Sequence, residues 1–155
     1  MRVSDAVAGA PVVRPAWGTF DEVIERLVER LVEAGSLPAS LAANAVARIR
    51  EREAITGTAM VEIGVSIPHA RVEGVRRIAA TIAVSPTAVY ELGDGLPISI
   101  VVLVLSSPTL IGEHLNFLSS VSMLLQSATV RQALRNAHTS EEVLRIVRDN
   151  ESRGR

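Results

Sequence analysis

The spacing of apolar residues predicts a long amphipathic helix near the start of the chain. From Phe20 to Gly35, apolar side chains recur every three or four residues, which places them on one helical face. They are Phe20, Val23, Ile24, Leu27, Val28, Leu31 and Val32. Gly35 is expected to end this helix, and a second helix is predicted from about Leu37 to Arg52, with Ser36 as its N-cap.

Further helices are predicted in the C-terminal third, over residues 111–127, 128–137 and 139–149. The last of them opens with a capping box, in which Thr139 and Glu142 accept hydrogen bonds from free backbone N–H groups. Residues 150–155 are expected to form a frayed tail.

The middle of the chain has the pattern of a sheet. The run Ile98–Leu105, β-branched and apolar except for Ser99, is typical of a central strand buried on both faces. A weaker strand is predicted over Arg77–Val84, and residues 91–97 are expected to form a turn, with Asp94-Gly95 as the hairpin signal. Residues 54–74 contain glycines and a proline and are expected to form loops and short strands. Helices alternating with strands predict one three-layer α/β domain, a mixed central sheet flanked by helices.

Composition narrows the possible functions. The 155 residues suffice for one domain with a full core, and the net charge of −1 without a basic stripe argues against a nucleic-acid partner. The absence of cysteine excludes disulfides and thiolate chemistry, and the absence of lysine excludes a P-loop. The N-terminus is too weakly apolar for a secretory signal, and no apolar run could cross a membrane, so a cytoplasmic location is expected.

Three histidines are the candidates for chemistry. His138 lies in a polar turn and is expected at the surface. His114 shares a helical face with Leu118, Val121 and Leu125, which by itself favours a histidine at the edge of the core. His69 follows the apolar run 65–67 and Pro68, where a buried structural histidine, a metal ligand, a general base and a nucleophile are all possible.

Other chemistries lack their motifs. A zinc site needs three or four converging ligands, and the chain has no H-E-x-x-H spacing. It also has no G-x-S-x-G elbow for a nucleophilic serine. A histidine that acts as a nitrogen nucleophile or proton carrier remains.

The stretch "SIPHA", residues 66–70, resembles the I-P-H-G signature of a known family. This signature surrounds the phosphorylated histidine of the fructose/mannitol-type enzyme IIA proteins of the bacterial phosphotransferase system, which include the nitrogen-regulatory IIA proteins. Further matching segments are Arg52 to Thr56, the turn Asp94 to Pro97, "SSP", "EHLNFLSSVSMLL" and "NAHTSEEVLRIV". The resemblance covers about Phe20 to Asp149, so that residues 1–155 are identified as a single IIA type-2 domain with its core at about 20–149.

The resemblance implies a phosphocarrier. His69 would accept a phosphoryl group from HPr or a homologue and pass it to a cysteine of an enzyme IIB partner. His114 would be the second active-site histidine, and Arg52 would contact the phosphoryl oxygens. No metal or organic cofactor and no nucleic acid are implied, and the protein would be at most peripheral to a membrane permease.

Several alternatives stay open at this point. The carrier could serve sugar uptake or nitrogen and metabolic regulation, and its oligomeric state cannot be read from the sequence. A second class of function is a regulatory module on the same fold that acts through protein contact with little or no phosphotransfer. A third is a small-molecule-binding α/β domain whose likeness to the family is coincidental.

Three departures from the family pattern bear on the site. One residue is inserted before the histidine, and glycines usual in the family are replaced around Met60 to Glu62, so a changed loop beside the phosphate is expected. Ala70 stands where glycine is common. Arg50 competes with Arg52 for the anion, because each precedes a glutamate.

Overall fold

A six-stranded mixed sheet forms the middle layer of the protein, in a computed structural model that describes residues 1–9 and 11–151. Its strands are β1 (Val12–Val13), β2 (Ala59–Met60), β3 (Val65–Ser66), β4 (His69–Arg71), β5 (Ala79–Val84) and β8 (Ile100–Ser106). The strand order is β1-β5-β8-β3-β2, and β4 continues the line of β3 along the same edge of β8. The predicted hairpin is confirmed as a separate pair, β6 (Tyr90–Leu92) and β7 (Leu96–Ile98).

Helices cover both faces of this sheet, which confirms the three-layer α/β architecture. They are α1 (Val3–Val7), α2 (Phe20–Glu33), α3 (Ala42–Ile55), α4 (Ile111–Leu125), α5 (Ala128–Arg135) and α6 (Ser140–Glu151). Side chains of α2 and α3 form one core with one face of the sheet, and those of α1, α4, α5 and α6 form a second core with the other face. Strand residues alternate between the two, so Val102 and Val104 join the second core while Val101 and Leu103 join the first.

Strand β8 is the centre of the sheet, as its apolar sequence predicts. All seven of its residues are buried. It pairs antiparallel with β5 on one edge and parallel with β3 and β4 on the other. The strand begins at Ile100, not at Ile98, because Ile98 belongs to the hairpin and Ser99 separates the two.

The predicted second helix is wrong at both ends. Gly35 adopts a φ of +77°, and the N–H groups of Ser36 and Leu37 return to the carbonyl of Leu31, which closes α2. Ser36 and Leu37 therefore form part of the C-terminal cap that follows α2 and do not begin a new helix. After Pro38 a 3-10 turn, Ala39–Leu41, leads into α3, which continues to Ile55.

Smaller corrections apply to the C-terminal helices. Helix α4 and helix α5 each end two residues before the predicted bound, and α6 runs to Glu151. Asn150 and Glu151 are therefore helical and not part of a frayed tail. Glu151 accepts hydrogen bonds from the backbone N–H of Ser4 at 3.0 Å and from its hydroxyl. The rest of the predicted tail, residues 152–155, lies outside the described residues.

The N-terminal segment also contributes to the fold, although no apolar periodicity marked it. Val3 and Val7 of α1 are buried in the core with α4 and α6. Strand β1 pairs parallel with β5 through Val12 and Val13. Helices α1 and α6 are thus packed against the same face of the sheet.

The loop that departs from the family pattern lies away from His69. Residues Val61–Ile63 form a 3-10 turn that ends at Gly64, where φ is +66° and an added Cβ would meet the carbonyl oxygen of Pro97 at 3.3 Å. Val65 is level with Ile100 and His69 is level with Val104, so the two positions are separated by roughly 13 Å along β8. The replaced residues are at the far end of β3.

Arg135 holds this loop in place. Its Nη2 donates to the carbonyl of Ile63 at 2.6 Å, and its Nε donates to the hydroxyl of Ser99 at 2.7 Å.

We expect Arg135→Ala to lower the free energy of unfolding by about 1–3 kcal/mol, because both acceptors lose their partner. Arg145→Ala is the control, an exposed helical arginine whose loss should cost less than about 0.5 kcal/mol. Equal losses in urea denaturation of the two variants would contradict this role.

Candidate functional site

The backbone fixes the orientation of the His69 ring. Pro68 directs the chain into β4, and its carbonyl accepts from the N–H of Val104 at 2.9 Å. The Nδ1 atom of His69 lies 2.8 Å from the carbonyl oxygen of Ile67. Since a carbonyl oxygen only accepts, Nδ1 carries the hydrogen, and in the neutral ring Nε2 then holds the lone pair.

His114 lies beside His69, in the first turn of α4. The two ring centroids are 5.6 Å apart and the rings are tilted by 57°. The His114 side chain is buried, and its Nδ1 contacts the hydroxyl of Ser106, the last residue of β8. His114 is therefore buried at the edge of the core, as its helical spacing predicted. It also lies beside His69, as the family resemblance implied.

The surroundings keep His114 uncharged. Burial, together with the positive charge of Arg71 and the smaller effects of His69 and Arg52, lowers the pKa of His114 from 6.5 to about 4. At neutral pH the ring is neutral and has a single N–H. If the Ser106 hydroxyl donates to Nδ1, that N–H is on Nε2.

The two candidate arginines have different environments. Arg50 is bound across the helix pair, with Nε 3.1 Å from Asp21 and Nη2 2.8 Å from Glu25. Arg52, in the last turn of α3, lines the same groove as His69 and His114, and its Nη1 donates to the carbonyl of Thr56 at 3.2 Å. Of the two, Arg52 is the one that the fold brings to the histidines.

The groove is open, cationic and bordered by apolar side chains. Its volume is about 450 Å³, and it is lined by Arg48, Glu51, Arg52, Ile55, His69, Ala70, Arg71, His114, Leu115 and Leu118. Arg48 is paired with Glu51 at 3.1 Å, so the net positive charge of the groove comes from Arg52 and Arg71. Ile55 and Leu115 are 80% and 59% exposed, which leaves apolar surface around the histidines for a protein partner.

Sequence reasoning missed three parts of this site: Arg71, Ser106 and the carbonyl of Ile67. Alternation along a strand would have placed Arg71 on the face of His69 if residues 69–71 had been recognised as β4. Ser106 gave no local signal, because its contact with His114 depends on how β8 and α4 pack. Ala70 is buried in the core with α2 and α3, so the methyl group that replaces the usual glycine is accommodated there.

The described residues, 1–9 and 11–151, contain no group of three or more His, Cys, Asp or Glu side chains that could hold a metal ion. Over the same residues, no helix has the length and apolar character needed to span a membrane.

This chain is similar to proteins of the bacterial phosphotransferase system. A family model described as "Phosphoenolpyruvate-dependent sugar phosphotransferase system, EIIA 2" matches residues 12–150. A nitrogen regulatory protein from Pseudomonas aeruginosa is 28% identical over 142 residues, which cover 91% of this chain and 90% of that protein.

Solved structures share the fold. The nitrogen regulatory protein IIA-Ntr from Neisseria meningitidis has a TM-score of 0.79 at 24% identity, with 94% of this chain and 98% of that one covered. Mannitol IIA from Escherichia coli, in its complex with phosphorylated mannitol IIB, has a TM-score of 0.72 at 21% identity and covers 92% and 96% of the two chains.

The low pKa of His114 makes stability depend on pH. The unfolded chain binds a proton on this residue near pH 6.5 and the folded chain only near pH 4, so its contribution is complete above pH 6.5 and is lost as the pH falls to about 4. In that range the free energy of unfolding should fall more steeply for the wild type than for His114→Gln, by on the order of 3 kcal/mol in total. Denaturation at a series of pH values measures the difference. Parallel curves, or an NMR titration of His114 near pH 6.5, would contradict it.

Proposed function

The chain belongs to the EIIA 2 family of the phosphoenolpyruvate-dependent sugar phosphotransferase system, and from this premise we propose that it is a phosphohistidine carrier. His69 accepts a phosphoryl group on Nε2 from an HPr-like phosphocarrier and passes it to an enzyme IIB partner. The observation that carries this proposal is the hydrogen bond of Nδ1 to Ile67, which leaves the lone pair of Nε2 free in a cationic groove.

The transfer breaks one nitrogen–phosphorus bond as it forms another. The lone pair of His69 Nε2 attacks the phosphorus atom, and the bonding pair of the donor's phosphohistidine returns to the donor's imidazole. The positive charge that the His69 ring gains is stabilised by its Nδ1–H bond to the Ile67 carbonyl. In the onward step a nucleophile of IIB bonds to the phosphorus atom as the Nε2–P bond breaks. Because Nδ1 keeps its proton, His69 leaves as a neutral imidazole.

The neighbouring groups act on the charge of the phosphoryl oxygens. In such transfers the protein contributes mainly positioning and electrostatic stabilisation. Arg52 provides a guanidinium from α3. In the tautomer in which the Ser106 hydroxyl donates to Nδ1, the neutral His114 ring donates from Nε2. A neutral donor adds a hydrogen bond without repelling the arginines around it.

The apolar residues around the groove are the proposed docking surface for both partners. Ile55, Ile111 and Leu115 expose 80%, 61% and 59% of their area, and they lie on the two helices that end or begin at the groove. Donor and acceptor must reach the same nitrogen atom, so they share this surface. Mannitol IIA, which shares this fold, was solved in a complex with phosphorylated mannitol IIB, which supports a IIB partner for the proposed carrier.

A regulatory role is the second candidate, favoured by the nitrogen regulatory relatives. In that role the same surface binds a target protein, with little or no phosphotransfer. We rank the carrier first because the nucleophilic nitrogen, the arginine and the second histidine are all present in one groove.

Since the proposed donor and acceptor domains work in the cytoplasm, we place the protein there, at most peripheral to a permease.

We predict that phosphoenolpyruvate, enzyme I and a cognate HPr add one phosphoryl group to the protein. His69→Ala should take none, because it lacks the accepting nitrogen, and His138→Ala, which changes an exposed histidine outside the groove, should take the full amount. Intact mass measures the adduct, which should be lost in acid and stable in base. Label retained by His69→Ala would show that the assignment is wrong, and an unlabelled wild type would favour the regulatory candidate.

A second prediction concerns the docking surface. Leu115→Ser should weaken the binding of HPr and of IIB about tenfold or more, because it removes apolar area at the centre of the contact. Met123→Ser is the control, since Met123 is 52% exposed on the same helix but does not line the groove. NMR titrations measure both affinities and should show each partner displacing the other. A ternary complex would contradict a shared surface.

A further inference from the structure

Arg71 is the charged group most rigidly linked to the proposed nucleophile. It lies two residues after His69 in β4, and alternation along the strand places the two side chains on one face and Ala70 on the other. Backbone pairing of Arg71 with Ser106 and of His69 with Val104 fixes both residues to β8. Arg71 also lines the same groove as His69, His114 and Arg52.

The guanidinium of Arg71 has no carboxylate partner among residues 1–9 and 11–151. The ion pairs in this part of the chain involve Arg26, Arg30, Arg48 and Arg50. Glu51, the acidic residue that lines the groove, is paired with Arg48. A half-buried cation that no protein anion neutralises is suited to an anion that arrives from outside.

The charge of Arg71 also reaches the second histidine. Among the charged groups that lower the pKa of His114, Arg71 has the largest effect, greater than those of His69 and Arg52. Together with its place in the lining of the groove, this effect indicates that the guanidinium lies on the side of the groove near His114.

We propose that Arg71 is a second phosphoryl-binding guanidinium, which holds the phosphoryl group on His69 from β4 while Arg52 holds it from α3. The proposal rests on the carrier function of His69. Arg71 transfers no proton and donates charge-assisted hydrogen bonds to the oxygens before and after the N–P bond forms. Because Arg71 shares a strand with His69, the backbone fixes the spacing of their two Cα atoms, and this spacing does not depend on helix packing.

A direct test measures the phosphoryl group itself. Phosphoramidate, a small phosphoryl donor, is used to phosphorylate His69, and ³¹P NMR follows the titration of the adduct. A nearby guanidinium favours the dianion, so Arg71→Gln should raise the pKa of the phosphoryl group. Arg71→Lys should retain part of the effect, because the charge stays and the forked geometry is lost. Arg76→Gln is the control, an exposed arginine that does not line this groove.

Two further readouts separate binding from structure. Single-turnover transfer from a cognate HPr should slow on the order of 10²-fold in Arg71→Gln, while thermal melts check that the variant is folded. The pKa of His114 should rise in the same variant. If the wild type accepts the phosphoryl group from phosphoramidate but not from HPr, the proposed carrier function is wrong. The ³¹P titration of the adduct then still tests whether Arg71 binds the phosphoryl group. Identical titrations for Arg71→Gln and Arg76→Gln, or no adduct on wild-type His69, would overturn the proposal.

Discussion

The burial of β8 on both faces is the constraint on which the site depends. A strand without an exposed face needs helices above and below it and a paired neighbour on each edge, and β3, β4 and β5 provide those neighbours. The parallel neighbour runs as two pieces, β3 and β4, joined through Ile67 and Pro68. The carbonyl of Pro68 stays in the ladder with Val104, while the carbonyl of Ile67 turns to the ring of His69. The interruption of one strand thus orients the ring of His69, the proposed nucleophile.

The electrostatics of the site follow from where β8 ends. Ser106 closes the strand, contacts His114 in the next helix and pairs through its backbone with Arg71. Ser106 therefore links two other residues of the site, since its hydroxyl contacts the imidazole of His114 and its backbone is level with that of Arg71. Burial beside positive charge disfavours a proton on His114. With His114 neutral, the positive charge of the groove comes mainly from its arginines, and a phosphoryl dianion would offset it. Phosphorylation would change the net charge of the surface that partners contact, which gives a regulatory partner a way to distinguish the two states.

Strong local patterns predicted most of the fold. Helix α2, strand β8 and the hairpin at Asp94-Gly95 each have a period or turn chemistry that one segment contains by itself. The start of α3 was missed because Gly35, Ser36 and Leu37 close α2 through bonds to Leu31 and Val32, which a capping rule applied to Ser36 does not reveal. Helix α1 has only five residues and forms because Val3 and Val7 are buried by α4 and α6. The pairing of His69 with His114 came from the family resemblance and not from spacing. Arg71 and Ser106 required the packing of β4, β8 and α4.

The positions of the departures from the family pattern show whether they affect the site around His69. The replaced residues around Met60 to Glu62 are at the far end of β3, where Arg135 and Gly64 accommodate the altered turn. The methyl group of Ala70 is buried in the core with α2 and α3, on the face of β4 opposite His69. Arg50 binds two carboxylates of α2, and its charge is neutralised away from the groove. None of these changes removes the Ile67 carbonyl that orients His69, the lone pair on Nε2 or the arginines that face it. These groups lie together in one groove and would provide the nucleophilic nitrogen and cationic donors that phosphoryl transfer needs, which is the physical reason to place the proposed carrier ahead of a module that acts by contact alone.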